Sequence, residues 1–408
     1  MKNLTKIALT LFALSVILSS CGRRDTGDVV GVLDRPEWKG INPYGMVYVR
    51  PGTAHIGNSD QDITGTFIQR NKAISISGFY MDETEISNNE YRQFVRYVQD
   101  SLAALEMDDM IDENGNVRWD EIDDIDYSDE RVRDALFLED TYAGRTQLNT
   151  NLFEYTYKTT DWGRAAHDRA GNGINDYIEE KTVNIYPDTM VWIRDFSYSY
   201  NEPMARNYFW HPAYDDYPVV GVNWHMARAF SYWRTEYYNR YNDVATEEFR
   251  LPTEAEFEYA SRGGRENAPY PWGGPYTRNA KGCLLANFKP GRGNYPEDGG
   301  QYTVPVDAYY PNDFGLYNMS GNVAEWTISA FFENSNSFVH DMNPDVRYDA
   351  KDEDSITMKR KVVRGGSWKD ISFYLQTGTR SSEYQDTTKS YVGFRNVVSF
   401  MGRSINDF

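Results

Sequence analysis

Cysteine sets the tightest limit on how this chain is held together, because its 408 residues contain only Cys21 and Cys283. Cys21 stands directly behind a leader-like segment. Lys2 and Lys6 make a short basic region, and Ile7 to Leu18 is an apolar stretch too short to cross a membrane as a mature helix. With Cys21 outside the folded part, Cys283 has no partner and no internal disulfide can form. An exported chain without disulfides must be held by its core or by metal ions. A lone cysteine such as Cys283 is expected to be a small buried apolar residue rather than a nucleophile.

Leu18-Ser19-Ser20-Cys21 resembles a lipobox. That resemblance implies removal of residues 1–20 and lipidation of Cys21 as the new N-terminus. Gly22, rather than Asp, follows the cysteine, which in the bacterial sorting rule implies delivery to the outer membrane, on its periplasmic face. Residues 22–43 are polar and broken by Gly and Pro, so 21–43 reads as a lipidated tether. A folded domain is expected over 44–400, with a tail at 401–408.

Hydrophobic residues make up 40%, which is a globular rather than a disordered composition. Aromatics reach 15%, suiting loop-rich β structure, sugar binding or large protein interfaces. A net charge of -19 argues against nucleic acid as a partner, because phosphate binding needs a basic face.

Met46 to Val49 reads as a short strand and Ile74 to Met81 as another. Ser87 and Glu90 have capping-box spacing ahead of Tyr91, Phe94, Val95 and Val98, so a helix with one buried face begins there. Glu106 to Asp140 holds fifteen acidic residues and three Arg, a solvated surface run. Asp112 to Asn116 reads as a hairpin turn. Asp168, Asn172, Gly173 and Glu179 fall at EF-hand positions, but Ala170 stands where a ligand oxygen is needed, so a polar turn is the better reading. "YPVVGVNWHMARAFSYW" reads as a strand into a helix capped by Asn223. "RLPTEAEFEYASRGG" reads as a helix with a Thr253/Glu256 capping box and a Gly263 stop. In "SGNVAEW", Gly321 and Asn322 suit a tight turn, and Glu325 with Asn318 could offer oxygens to a hard cation.

Four segments stand in fixed order: Arg250–Gly264, Gly315–Trp326, Arg364–Trp368 and Gly393–Val397. "RLPTEAE", "GNVAEW" and "RGGSW" together resemble the formylglycine-generating enzyme/sulfatase-modifying-factor family. The resemblance covers about 44–100 and 216–400 and leaves 101–215 as a long insertion. It implies an α+β fold related to C-type lectins, with little regular secondary structure. It also implies two structural calcium sites. One would use Asn318, Gly321, Val323 and Glu325, and the other Asn287, Phe288, Asp298 and Gly300, with Gly321, Val323 and part of the second set giving carbonyl oxygens. The family's enzymes hold copper and activate oxygen with two cysteines after the Gly-Gly-Ser segment. The matching positions here are Asp370 and Leu375, so no copper and no catalysis are expected. The five histidines show no metal-binding spacing.

The N-terminal half, with "NPYGMVYV", "GNSDQD" and "SGFYMDETEISNNEYRQFV" ahead of the acidic insertion, looks like gliding-motility lipoprotein K, the GldK/PorK type. A sister J type shares the domain, and the opening favours K. This likeness implies a structural lipoprotein of type IX secretion, forming periplasmic rings with neighbouring copies and a GldN/PorN-type partner. Two other readings stay open: an oxidoreductase of the formylglycine-generating kind, and a calcium-dependent, glycan-binding lectin-like module. The aromatic later part of the insertion is expected to face a partner, and its acidic part to lie at a rim. The competing expectation is that these aromatics cover the parent domain.

Overall fold

In the computed structural model the described residues are 41–402, apart from 58–70, 108–109, 114–115, 139–145, 169–170, 172, 199–202, 243–245, 292–295 and 297–299. Cys21, the lipobox and the tether therefore lie outside the described residues.

The expected strand over Ile74–Met81 is two strands, because Ser77-Gly78 interrupts it. β3 (Lys72–Ile76) pairs with β2 (Gly52–Ile56), while β4 (Phe79–Asp82) turns into a different sheet. Every residue of β4 is buried, as befits a central strand. On one side it pairs with β1 (Met46–Val49), and on the other with the last strand, β11 (Val397–Ser399). The two ends of the domain thus close in one three-stranded sheet. A second sheet runs β10-β7-β8-β9, with β7 at Ala324–Ala330, β8 at Arg360–Arg364, β9 at Ser381–Tyr384 and β10 at Val392–Gly393. No strand forms over Tyr217–Val222. That segment is irregular and holds only the bridge from Ser87 to Pro218.

Three helices start where their caps require. α1 (Asn88–Leu105) has the Ser87/Glu90 capping box and buries Tyr91, Phe94, Val95 and Val98. The other long helix, Trp224–Tyr241, is capped by the Asn223 side chain, and Glu254–Ser261 by the Thr253/Glu256 box. Gly263 follows the latter at φ +61, the left-handed stop a side chain resists. Asp112 and Asn116 close the expected turn, with the bridge from Ile111 to Val117 beyond it. No helix among the described residues is long and apolar enough to cross a membrane.

The insertion departs most from expectation. Its hairpin, β5 (Glu154–Thr160) with β6 (Ile178–Asn184), turns Tyr155 and Tyr157 inward. The Tyr155 ring meets Phe94 edge-on at 5.1 Å, and Tyr157 stacks on Tyr232 at 4.4 Å. Phe153, Tyr155, Tyr157 and Ile185 belong to the same buried cluster as Tyr91, Phe94, Phe230 and Trp233. Tyr177 and Trp192 are buried too. Phe153, Tyr155, Tyr157 and Trp192 therefore join the core of the parent domain, whereas Tyr177 is covered within the insertion by Asp168 and Arg164. Trp162 and Tyr198 do stay open, at 64% and 81% exposure, and Tyr200 lies outside the described residues. Of the EF-hand-like stretch, residues 169, 170 and 172 lie outside the described residues; Asp168 accepts from the Tyr177 hydroxyl and Glu179 pairs with Arg164.

A charge cluster clamps the insertion to the domain. Lys181 from β6 and Arg228 from the Trp224–Tyr241 helix converge on Asp349. Nearby, the fully buried Lys361 places its ammonium 3.8 Å from the Trp224 ring centroid. Burial alone would raise the Asp349 carboxyl, but Arg228, Lys181 and Lys361 outweigh it and hold it down at about 2. Burial pushes Lys361 down to about 8. Asp349→Asn should cost about 1–3 kcal/mol at neutral pH, a range discounted for the partly exposed carboxylate. Because the folded value lies below the unfolded one, this contribution is complete above the ordinary aspartate range and fades as pH falls towards 2. Urea unfolding of both proteins between pH 7 and 2.5 checks it. A difference that does not shrink on acidification would mean Asp349 acts by shape alone.

Candidate functional site

The "SGNVAEW" turn enters β7 with three left-handed residues, Asn318 at φ +48, Gly321 at +87 and Asn322 at +61. A Cβ at Gly321 would lie 2.6 Å from the Asn287 carbonyl oxygen, so only glycine lets the two loops touch. The Asn322 amide donates to that same oxygen at 2.9 Å. Its fully buried side chain takes the Val304 N–H at 2.9 Å and donates to the Val304 carbonyl and to Glu85. Asn318 donates to the other Glu85 oxygen at 3.1 Å and to the Val306 carbonyl at 2.8 Å.

Glu325, the second residue of β7, is just as deeply buried. Both of its oxygens accept from Arg395, from Nε and Nη2, each at 2.7 Å. Arg395 also donates to the carbonyls of Asp82 and Tyr317, at 3.2 and 2.9 Å. Burial pushes Glu85 up to about 8 and also raises Glu325, against the pull of Arg395. One guanidinium thus faces two buried carboxyl groups.

The structure brings the expected calcium residues Asn287, Asn318, Gly321 and Glu325 into this one buried cluster, while the Val323 side chain packs with Val191, Trp192 and Val220. Phe288 packs beside it with Tyr270, Leu284 and Leu375. Gly300 sits where a Cβ would lie 2.9 Å from the Tyr302 carbonyl oxygen, itself bonded by the Asn287 amide. Asp298 lies outside the described residues. The side chains of Asn287, Asn318 and Glu325 carry oxygens of the type a hard cation takes. A carboxylate accepts about four hydrogen bonds, and Arg395 uses one site on each Glu325 oxygen, so an ion at Glu325 would share that carboxylate with Arg395. Three members were not legible beforehand as side-chain partners: Asn322, Glu85 and Arg395. The sequence marks Asn322 only as a turn former. Arg395 lies in the marked Gly393–Val397 segment, but nothing local names its partner or that of Glu85, since those partners are far away in sequence.

Around the Gly-Gly-Ser turn, Asp370 accepts from the Ser367 amide at 3.0 Å and its hydroxyl at 2.6 Å, closing the turn on itself. Leu375 is fully buried. Residues from the insertion cover the neighbouring face. Trp192 and Phe196 each stack on Trp368, with centroids 6.2 Å apart, and Asp195 accepts from Lys369 at 2.7 Å. Cys283, expected to be buried, is exposed on the turn that begins at Asn279. No group of three His, Cys, Asp or Glu that could hold a metal occurs among the described residues.

Residues 36–400 match the model of the sulfatase-modifying factor enzyme 1-like domain. The formylglycine-generating enzyme of Bos taurus is 36% identical over 361 residues, spanning 86% of this chain and 74% of that protein. The inactive C-alpha-formylglycine-generating enzyme 2 of Bos taurus is 34% identical over 236 residues, spanning 54% of this chain and 63% of that protein. Among solved structures, PvdO from Pseudomonas aeruginosa superposes with a TM-score of 0.50 at 15% identity, over 87% of this chain and 94% of that one. That likeness speaks to the shared α+β fold.

Proposed function

The chain belongs to the sulfatase-modifying factor enzyme 1-like family, and from that premise we propose that it is a non-catalytic member serving as a structural lipoprotein. The observation that carries this reading is the state of the Gly-Gly-Ser turn. By the resemblance carried by the Arg364–Trp368 segment, Asp370 and Leu375 take the places of the two thiols of the family's enzymes. The first closes the turn on Ser367 and the second fills the core. A soft metal finds no thiolate pair there. The stacking of Trp192 and Phe196 on Trp368 supports the same reading, because the insertion takes up the face beside the turn.

In this proposal Cys21 carries the lipid, the outer membrane holds the anchor, and the domain hangs in the periplasm. It assembles there with neighbouring copies and a GldN/PorN-type subunit into a ring of the type IX secretion and gliding machinery, the GldK/PorK role. The exposed Trp162 and Tyr198 are the insertion's candidate contacts. Two measurements test the proposal. Incubated with a sulfatase-type cysteine peptide, with or without copper, the protein should leave the peptide mass unchanged; turnover above a no-protein control sinks the non-catalytic reading and restores the oxidoreductase. Pulled from envelopes in mild detergent, it should arrive with a periplasmic partner as a ring; a monomer sinks the scaffold.

Calcium is proposed as the structural cofactor, held by Asn287, Phe288, Asp298 and Gly300 and by Asn318, Gly321, Val323 and Glu325. An ion bound only by the folded state stabilises it by about 2.7 kcal/mol at ~100-fold saturation. Chelator should therefore lower the melting temperature and added calcium restore it. Melting that is indifferent to both removes calcium from the proposal.

A further inference from the structure

The β5–β6 hairpin is a two-stranded ribbon with seven residues in each strand and an unbroken register. Its backbone parity is set at its two ends. The Ile185 N–H donates to the Phe153 carbonyl, and the Asp161 N–H to the Tyr177 carbonyl. Odd-numbered residues therefore form the hydrogen-bonded pairs, and even-numbered residues turn their N–H and C=O groups away from the partner strand. On β6 the outward set is Ile178, Glu180, Thr182 and Asn184. On β5 it is Glu154, Thr156, Lys158 and Thr160. Among the described residues no backbone group bonds to either set. The ribbon thus has two open edges, and neither strand carries the proline or bulge that commonly closes an edge to other chains. Its outer face is complementary across the ribbon: Lys158 pairs with Glu180 at 3.3 Å, and the Thr156 and Thr182 hydroxyls meet at 2.8 Å.

We propose that these two edges join copies of this chain head to tail, β6 of one copy pairing with β5 of the next in a continuous sheet. The inference rests on the ring assembly proposed above and names its interface. Copies related by rotation about a ring axis keep their strand direction, so β6 meets the next β5 antiparallel, as it does within the hairpin. They also keep their packed faces on one side of the sheet, so even residues stand opposite even residues. Glu180 then meets Lys158 of the next copy and Thr182 meets its Thr156, repeating between copies the pairs that hold the ribbon itself. A β6 paired with its own copy about its central residue would instead set Lys181 against Lys181, like charges opposite one another. Two different edges make a heterologous contact, which closes as a ring when its rotation does.

Single cysteines in the full chain, with Cys283→Ser as background, test the pairing. A hairpin with one cysteine cannot close a disulfide within itself. Glu180→Cys alone and Lys158→Cys alone should give no cross-link on oxidation, and cells expressing both variants should give a disulfide-linked dimer. Electron microscopy of the parent chain drawn from envelopes separates this interface from the ring it serves. Rings without the mixed cross-link, or with a cross-link in either single variant, overturn the interface and leave the ring standing. A mixed cross-link without rings keeps the interface and overturns the ring; absence of both removes both. Thr182→Pro supplies a second arm. It deletes an outward N–H that the hairpin's own ladder does not use, a place where a strand accepts proline. Its melt should stay cooperative while its rings are lost, and rings that persist overturn the interface. Where Thr182→Pro does not fold, the cysteine pair decides.

Discussion

Arg395→Met should destabilise the domain by about 3–5 kcal/mol, the range for removing one partner of a buried ion pair. The residue is fully buried, as is Glu325, and the substitution strips the carboxylate of both its donors. It also leaves the carbonyls of Asp82 and Tyr317 without one of theirs. No water replaces the lost bonds at once, so Glu325 would take up a proton or the loop would open. Those carbonyls belong to β4 and to the segment entering the "SGNVAEW" turn, so the loss loosens the seam between the two sheets. Guanidinium unfolding of the single and double variants separates charge from shape. Arg395→Met combined with Glu325→Gln should recover part of the loss, because the uncompensated carboxylate is gone. An exposed pair gives the control: Arg265→Ala, which parts Arg265 from Asp313, should change little. If Arg395→Met costs no more than that control, the buried cluster is not what joins the sheets.

Much of this architecture was legible because its signals are local. Capping boxes at Ser87/Glu90 and Thr253/Glu256 are decided within four residues, and so is a stop at Gly263. They appear where the spacing predicts. The failures share a different cause. Tyr217–Val222 has the apolar run of a strand, but Val219, Val220 and Val222 are buried by packing, without a ladder to join. Ile74–Met81 reads as one strand because side-chain pattern does not reveal which sheet each half will enter.

The site divides in the same way. Turn chemistry announces Gly321 and Asn322, and the structure places both at positive φ. Their partners are long-range. Asn322 reaches Glu85 across 237 positions and Glu325 reaches Arg395 across 70. Composition gives no hint of such pairs, since an acidic chain of net charge -19 has many carboxylates to choose from. Aromatic enrichment in the insertion is ambiguous for a related reason. Interfaces and cores draw on the same residues, and only the fold decides which.

Replacing 101–215 with a short Gly-Ser linker should therefore yield no folded domain. As a self-contained elaboration the segment would be dispensable, but Phe153, Tyr155, Tyr157 and Ile185 sit within the cluster that also holds Tyr91, Phe94, Phe230 and Trp233. Tyr91 further donates its hydroxyl to the Ile185 carbonyl at 2.9 Å. Truncating one buried aromatic costs about 3–5 kcal/mol, so losing several at once exceeds the ~5–15 kcal/mol that holds a typical domain together. The deletion variant is expected to show a molten near-ultraviolet spectrum or to aggregate. A cooperative melt from it would mean the parent core closes without the hairpin. Point substitutions give the graded version: Phe153→Ala should cost about 3–5 kcal/mol, whereas Tyr198→Ala, at 81% exposure, should stay within about 0.5 kcal/mol. It follows that partner binding is to be tested by Trp162→Ala and Tyr198→Ala in the intact chain. These variants keep the core while removing the insertion's exposed rings, so a lost partner then reports on the surface and not on unfolding.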